Sequence, residues 1–171
     1  MPISRAVLPP LVALALTVPQ PQWTQLVSRP GGFTVLMPGR PTFQPATARD
    51  ASGATSLGTW TLQLKNGAEF GVVYADLPAA VVERTPPDVL LDGARDGQLR
   101  NTKGNLLTER DLVLHGHPGR EVTVKTTWGV YACRILLVRR RLFQVMAVSP
   151  DLNAYTRDRR RFLDSFRLLG D

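Results

Sequence analysis

Cysteine is nearly missing from this 171-residue chain, in which Cys133 stands alone. One thiol can form neither an internal bridge nor a C-x-x-C pair, which excludes a disulfide scaffold and a dithiol oxidoreductase. Cys133 lies in the strand-like apolar run "VYACRILLV", where a free cysteine reads as a small buried hydrophobe rather than an activated nucleophile. Histidine is almost as scarce, with only His115 and His117 in "VLHGHPGRE". On an extended chain their rings could share a face, but zinc needs three or four protein ligands, and no further histidine exists to supply them. The glycines and proline around them read better as a hairpin turn, and no metal is expected.

The usual catalytic signatures are absent too. There is no G-x-S-x-G elbow, no G-x-x-x-x-G-K-[ST] loop and no G-x-G-x-x-G fingerprint. The 14 acidic residues are scattered, and none sits alone in an apolar run that would push its pKa upward. No catalytic residue and no cofactor are therefore expected. One enzymatic alternative stays open, a hydrolase with two carboxylates paired in space, because such pairs leave no sequence motif.

Hydrophobic runs long enough to span a bilayer are lacking as well. Ala6 to Val18 follows Arg5 and precedes a Pro/Gln stretch, and is short of the roughly 20 residues a membrane helix needs. A basic start, a short apolar middle and a polar exit describe a secretory leader, which we place at residues 1–22. The rest, residues 23–171, reads as a single α+β domain in the exported space, periplasmic or extracellular. Its length allows a sizeable core, and 43% hydrophobic with 20% charged residues is an ordinary globular balance.

Asn66-Gly67, between "LGTWTLQL" and "AEFGVVYADL", is a strong hairpin signal. A two-residue turn there would pair Leu64 with Glu69, Leu62 with Gly71 and Trp60 with Val73. The preceding "RPTFQPATARDASGATS" reads as an extended connection. A helix is expected from an N-cap at Thr85 to Gly104. Four strand-like segments follow, "LLTERDLVLHG", "GREVTVKTTW", "VYACRILLV" and "LFQVMAVS", the last two nearly continuous in apolar residues, as in strands covered on both sides. A C-terminal amphipathic helix is expected from about Pro150 to Leu169, docked by Tyr155, Phe162, Phe166 and Leu169. The architecture is an antiparallel sheet of about six or seven strands with a mid-chain and a C-terminal helix packed on it.

What the chain has in abundance is arginine: net charge is +7, and among 21 basic residues only Lys65, Lys103 and Lys125 are lysine. Arg139, Arg140 and Arg141 fall between two apolar strands and read as the loop of their hairpin. Arg159-Arg160-Arg161 precedes Phe162, and three consecutive helical residues fan through about 200°, too wide for one compact clamp. The candidate contact surface is Arg139, Arg140 and Arg141, joined by Arg157, Arg160 and Arg161. Its expected partner is an envelope protein or an anionic surface. Nucleic acid is not expected, since no stacking aromatics are interleaved with these basic residues.

"GGFTVLMPGRPT", "GHPGREVTV", "ILLVRRRLFQVMAV" and the closing "RRFLDSFRLL" together resemble small exported bacterial proteins of unknown function with the α/β/α sandwich of the PsbP-like family, named for the extrinsic photosystem II protein. The resemblance spans most of residues 23–169, and its motifs are structural. It implies a noncatalytic binding or assembly factor, carries no functional residues over, and gives no support to a photosystem role. The expected function is an interaction or assembly module of the cell envelope. A carrier of a small ligand or lipid, with a cavity lined by Trp60, Tyr74, Phe143 or Phe162, is the nearest alternative.

Overall fold

The computed structural model describes residues 22–50, 53–150, 153 and 156–170, so all of the leader segment but Gln22 lies outside the described residues. Alternation in the first hairpin sets the layers. Strand β1 (Thr24–Ser28) pairs with β2 (Phe33–Met37), and Phe33, Val35 and Met37 all point inward along β2. The two-residue strand β10 (Arg167–Leu168) closes on the other side of β2, giving a three-stranded sheet.

The main sheet has seven antiparallel strands: β3 (Thr42–Asp50), β4 (Gly53–Gln63), β5 (Glu69–Asp76), β6 (Asn105–Leu114), β7 (His117–Thr126), β8 (Gly129–Val138) and β9 (Arg141–Ser149). Their spatial order is β3-β4-β5-β9-β8-β7-β6. Strands β8 and β9 lie inside the sheet, as their apolar runs require. Helix α2 (Pro87–Thr102), preceded by the short α1 (Ala79–Arg84), covers β7 and β8 on one face. The three-stranded sheet and α3 (Thr156–Asp164) cover the other. The α+β class and the antiparallel sheet are as the sequence implies; the small second sheet is an addition.

Each face has its own core. Under α2, fully buried Leu91 meets Val122, Val124, Tyr131 and Cys133. Burial pushes the Cys133 thiol up to about 12, the hydrogen bond with Tyr131 pulling weakly the other way, so at neutral pH it is protonated and inert. On the opposite face the rings pack on each other. Phe33 lies 5.4 Å from Phe166, 6.1 Å from Phe143 and 6.3 Å from Tyr74, and Phe70 is 5.3 Å from Phe162.

Four expectations are corrected. The loop at Asn66-Gly67 has three residues: Leu64 N–H bonds Ala68 O (2.8 Å), and Gly67 takes the left-handed φ of 84°. This is the type I turn with a bulge position that glycine fills, and it moves the register by one, pairing Trp60 with Val72 and Leu62 with Phe70. One step of register exchanges the faces of a strand, so Trp60, Leu62, Phe70, Val72 and Tyr74 share the core face. The stretch taken as a connection instead forms β3 and the start of β4; Pro45 is tolerated because β3 is an edge strand. Thr85 is not an N-cap: it is extended (φ −121°, ψ 124°) and separates α1 from α2, with Pro86 at the N-cap and Pro87 first in the helix, since a residue before proline avoids the helical region. The C-terminal helix stops at Asp164, because Phe166 turns in to stack on Phe33 and Leu169 N–H reaches Gly32 O at 2.8 Å. Tyr155 lies outside the described residues.

Candidate functional site

The β8–β9 hairpin ends in a two-residue turn. Val138 pairs with Arg141, leaving Arg139, with a left-handed φ of 54°, and Arg140 at the tip. The three arginines thus have different environments. Arg141 is the first residue of β9, and its whole guanidinium is engaged. Nε and Nη2 donate to the two oxygens of Asp76 at 2.6 Å each, and Nη1 donates to Pro30 O and Gly31 O at 2.9 Å each. It also lies 5.0 Å from the Tyr74 ring centre. The Asp76 hydrogen bonds hold this guanidinium above the ordinary arginine pKa against the cost of burial. Arg140 is exposed and donates from Nε to Leu77 O at 3.1 Å. Arg139 is exposed, with no acidic partner among the described residues.

These residues rim a cleft of about 700 Å³ that runs from the hairpin tip to the Gly31–Gly32 turn and the Leu168–Gly170 segment after α3. Val138, Phe143 and Leu168 supply apolar wall, and His117 stands among the lining residues. The one acid of the lining, Asp76, is spent on Arg141. No serine, threonine, cysteine or lysine lines the cleft among the described residues. It therefore offers two guanidinia without an acidic partner among the described residues, Arg139 and Arg140, beside an apolar wall, an arrangement that suits carboxylates.

The arginines of α3 lie elsewhere. Arg161 covers the Trp23 ring at 4.5 Å, Arg157 is exposed, and Arg160 lines a second cavity with Arg110, Arg134 and Arg159. A charge ladder runs across that second cavity. Arg110 and Arg134 both donate to Glu121, each at 2.6 Å at closest, and Arg134 also reaches Asp164 at 2.6 Å and Leu163 O at 2.8 Å. Burial pushes the Glu121 carboxyl up, but the hydrogen bonds from Arg134 and Arg110 outweigh it and hold the pKa below the ordinary carboxylate value. A depressed carboxyl contributes stability at neutral pH that is lost as pH falls through and below about 4.5. Glu121→Gln is expected to cost about 1–2 kcal/mol at pH 7. Urea titrations from pH 7 to pH 3 should show the two proteins converging in acid, and a pH-independent gap would contradict this account.

The remaining candidates have structural places. His115 and Gly116 have φ of 52° and 78° and form the β6–β7 turn, while His117 begins β7; among the described residues no three acidic, histidine or cysteine side chains gather as metal ligands do. Trp60 packs on Phe43 and donates to Ser28 Oγ at 3.2 Å. Tyr74, Phe143 and Phe162 are core residues, and of these only Phe143 borders the cleft. The carboxylates that gather beside α2, Asp92, Glu109 and Asp111, do so around Arg95 and Arg120 as ion pairs. Sequence reasoning missed His117 as a cleft residue and Arg134 as the hub of the ladder. The one available signal for the latter is a lone charge inside an apolar strand.

No family's sequence profile matches the chain, and no curated protein matches it. Among solved structures it is similar to the solution structure of cyanobacterial PsbP (CyanoP) from Synechocystis sp. PCC 6803. The TM-score is 0.58 at 9% sequence identity, over 89% of this chain and 95% of that one. At that identity the likeness is one of fold alone: the chain has a PsbP-like fold.

Proposed function

We propose that the protein is a noncatalytic, exported interaction module of the cell envelope, and that it takes an acidic, partly apolar segment of a partner protein in the cleft at the β8–β9 tip. The observation that carries this reading is the division within the arginine run. Arg141 is consumed by Asp76 and the Pro30–Gly31 carbonyls, whereas Arg139 and Arg140 face solvent beside Val138, Phe143 and Leu168. Exposed arginines at a rim steer and select an acidic partner, and an adjoining apolar wall adds the desolvated contact that slows its release. Export rests on the sequence of residues 1–22; among the described residues no helix is long and apolar enough to cross a membrane.

Site-specific photocross-linking of the full chain in the cells that make it tests the reading. A photoreactive residue at Leu169, 42% exposed at the cleft, is compared with one at Val89, 56% exposed on α2. Discrete protein adducts are expected from position 169 alone, and their loss is expected when Arg139 and Arg140 are both changed to Ser. Adducts that survive that double change, or that form equally from position 89, would refute the assignment.

A further inference from the structure

The second cavity holds a group that the fold leaves unexplained. Arg159 Nη1, on α3, is buried without a hydrogen-bond partner. A buried N–H left unmade is costly, and in native proteins such a group commonly marks a bound water or ion that completes it. The cavity, about 370 Å³, lies between α3 and the β6–β8 part of the sheet, and its charges do not balance. Four arginines line it, Arg110, Arg134, Arg159 and Arg160, against two acids, Glu121 and Asp164. Both acids are already bonded: Glu121 to Arg110 and Arg134, Asp164 to Arg134. Among the described residues neither Arg159 nor Arg160 has an acidic partner. Among the described residues two guanidinia in this concavity are left without a carboxylate.

We infer that this cavity is a phosphate-group site, with Arg159 and Arg160, which both line it, as its two cations. The charge left over among the described lining residues, two, is that of a phosphate group near neutral pH. Guanidinium forks match tetrahedral oxyanions through paired N–H donors, which water could satisfy one at a time but could not neutralise. The Arg110–Glu121–Arg134–Asp164 ladder has a role in the same design. It fixes the wall of the site and keeps Glu121 and Asp164 bonded to Arg110 and Arg134, so that they do not neutralise Arg159 and Arg160. The site is separate from the hairpin cleft and does not depend on the reading given to that cleft.

Thermal unfolding of the full chain in inorganic phosphate, against chloride at equal ionic strength, is the test. A saturable rise in Tm with phosphate is expected, with the apparent Kd weakened at least tenfold in Arg159→Gln and unchanged in Arg139→Ser. Arg160→Gln, at an exposed position, should weaken binding less and serves should the first variant fold poorly. In phosphate-free buffer Arg159→Gln should unfold no earlier than the native protein, because it removes a buried N–H group that has no partner. Absence of a saturable rise, an unchanged Kd in Arg159→Gln, or an earlier unfolding of that variant without phosphate would each overturn the inference. Co-sedimentation with phosphatidylcholine vesicles containing phosphatidic acid then distinguishes the sources. Binding lost in Arg159→Gln identifies a lipid headgroup, and phosphate binding without vesicle binding identifies a soluble phosphate compound.

Discussion

Replacing Arg141 with alanine is expected to lower the free energy of unfolding by about 2–3 kcal/mol, while Arg139→Ala and Arg140→Ala each change it by less than about 0.5 kcal/mol, as surface substitutions do. The difference follows from where the turn falls. Arg141 sits inside the ladder opposite Val138, half buried, and ties three segments together: β5 through Asp76, the β1–β2 turn through the Pro30 and Gly31 carbonyls, and its own strand. Its removal leaves the Asp76 carboxylate without its bidentate partner and two carbonyls without a donor. Lysine should not restore the loss, because one ammonium cannot span both carboxylate oxygens and both carbonyls. Urea unfolding at neutral pH measures all four variants. Equal losses across the three alanine variants would mean that the run is a uniform solvated tip, and the division on which the binding proposal rests would fail with it.

How far this was legible depends on the kind of information each residue carries. The strands β8 and β9 announce themselves, since only a doubly covered strand reads as "VYACRILLV" or "LFQVMAV". The arginine run was visible as a hairpin tip, but the tip's length was not. Whether Arg141 belongs to the loop or to the strand depends on Asp76, 65 residues away, which no local pattern reveals. The Asn66-Gly67 hairpin shows the same limit at one-residue resolution: its existence is encoded locally, while its register depends on Leu64 finding Ala68 rather than Glu69. The C-terminal helix was overextended because Phe166 and Leu169 fit a helical stripe, and only the pairing of Arg167 and Leu168 with β2 shows that they leave it. The unpaired Arg159 Nη1 has no sequence signature at all, being one guanidinium among several until the packing of α3 on the sheet isolates it.

The largest single loss is expected at Phe33. It is fully buried, with Phe166 stacked on it at 5.4 Å and Tyr74 and Phe143 meeting it edge-on. Phe33→Ala should cost about 3–5 kcal/mol, as the lost transfer energy and the cavity left behind add together. The effect should not be confined to stability. Phe33 pairs with Leu168 across the small sheet, and Leu169 N–H bonds Gly32 O beside it, so one side chain anchors both non-hairpin walls of the cleft, the Gly31–Gly32 turn and the Leu168–Gly170 segment. Hydrogen exchange should therefore accelerate more at Leu169 and in β1–β2 than at Cys133 or Ile135 in β8, whose protection follows global unfolding. Uniform acceleration would show that the small sheet and the main sheet unfold as one unit. A loss below about 1.5 kcal/mol would show that the neighbouring rings close over the gap. In either case the cleft would be held by its backbone pairing rather than by the aromatic cluster beneath it. The expected pattern instead makes the cleft and the core one construction, in which the residue that fixes the β1–β2 hairpin and the Leu168–Gly170 segment onto the main sheet also shapes the cleft.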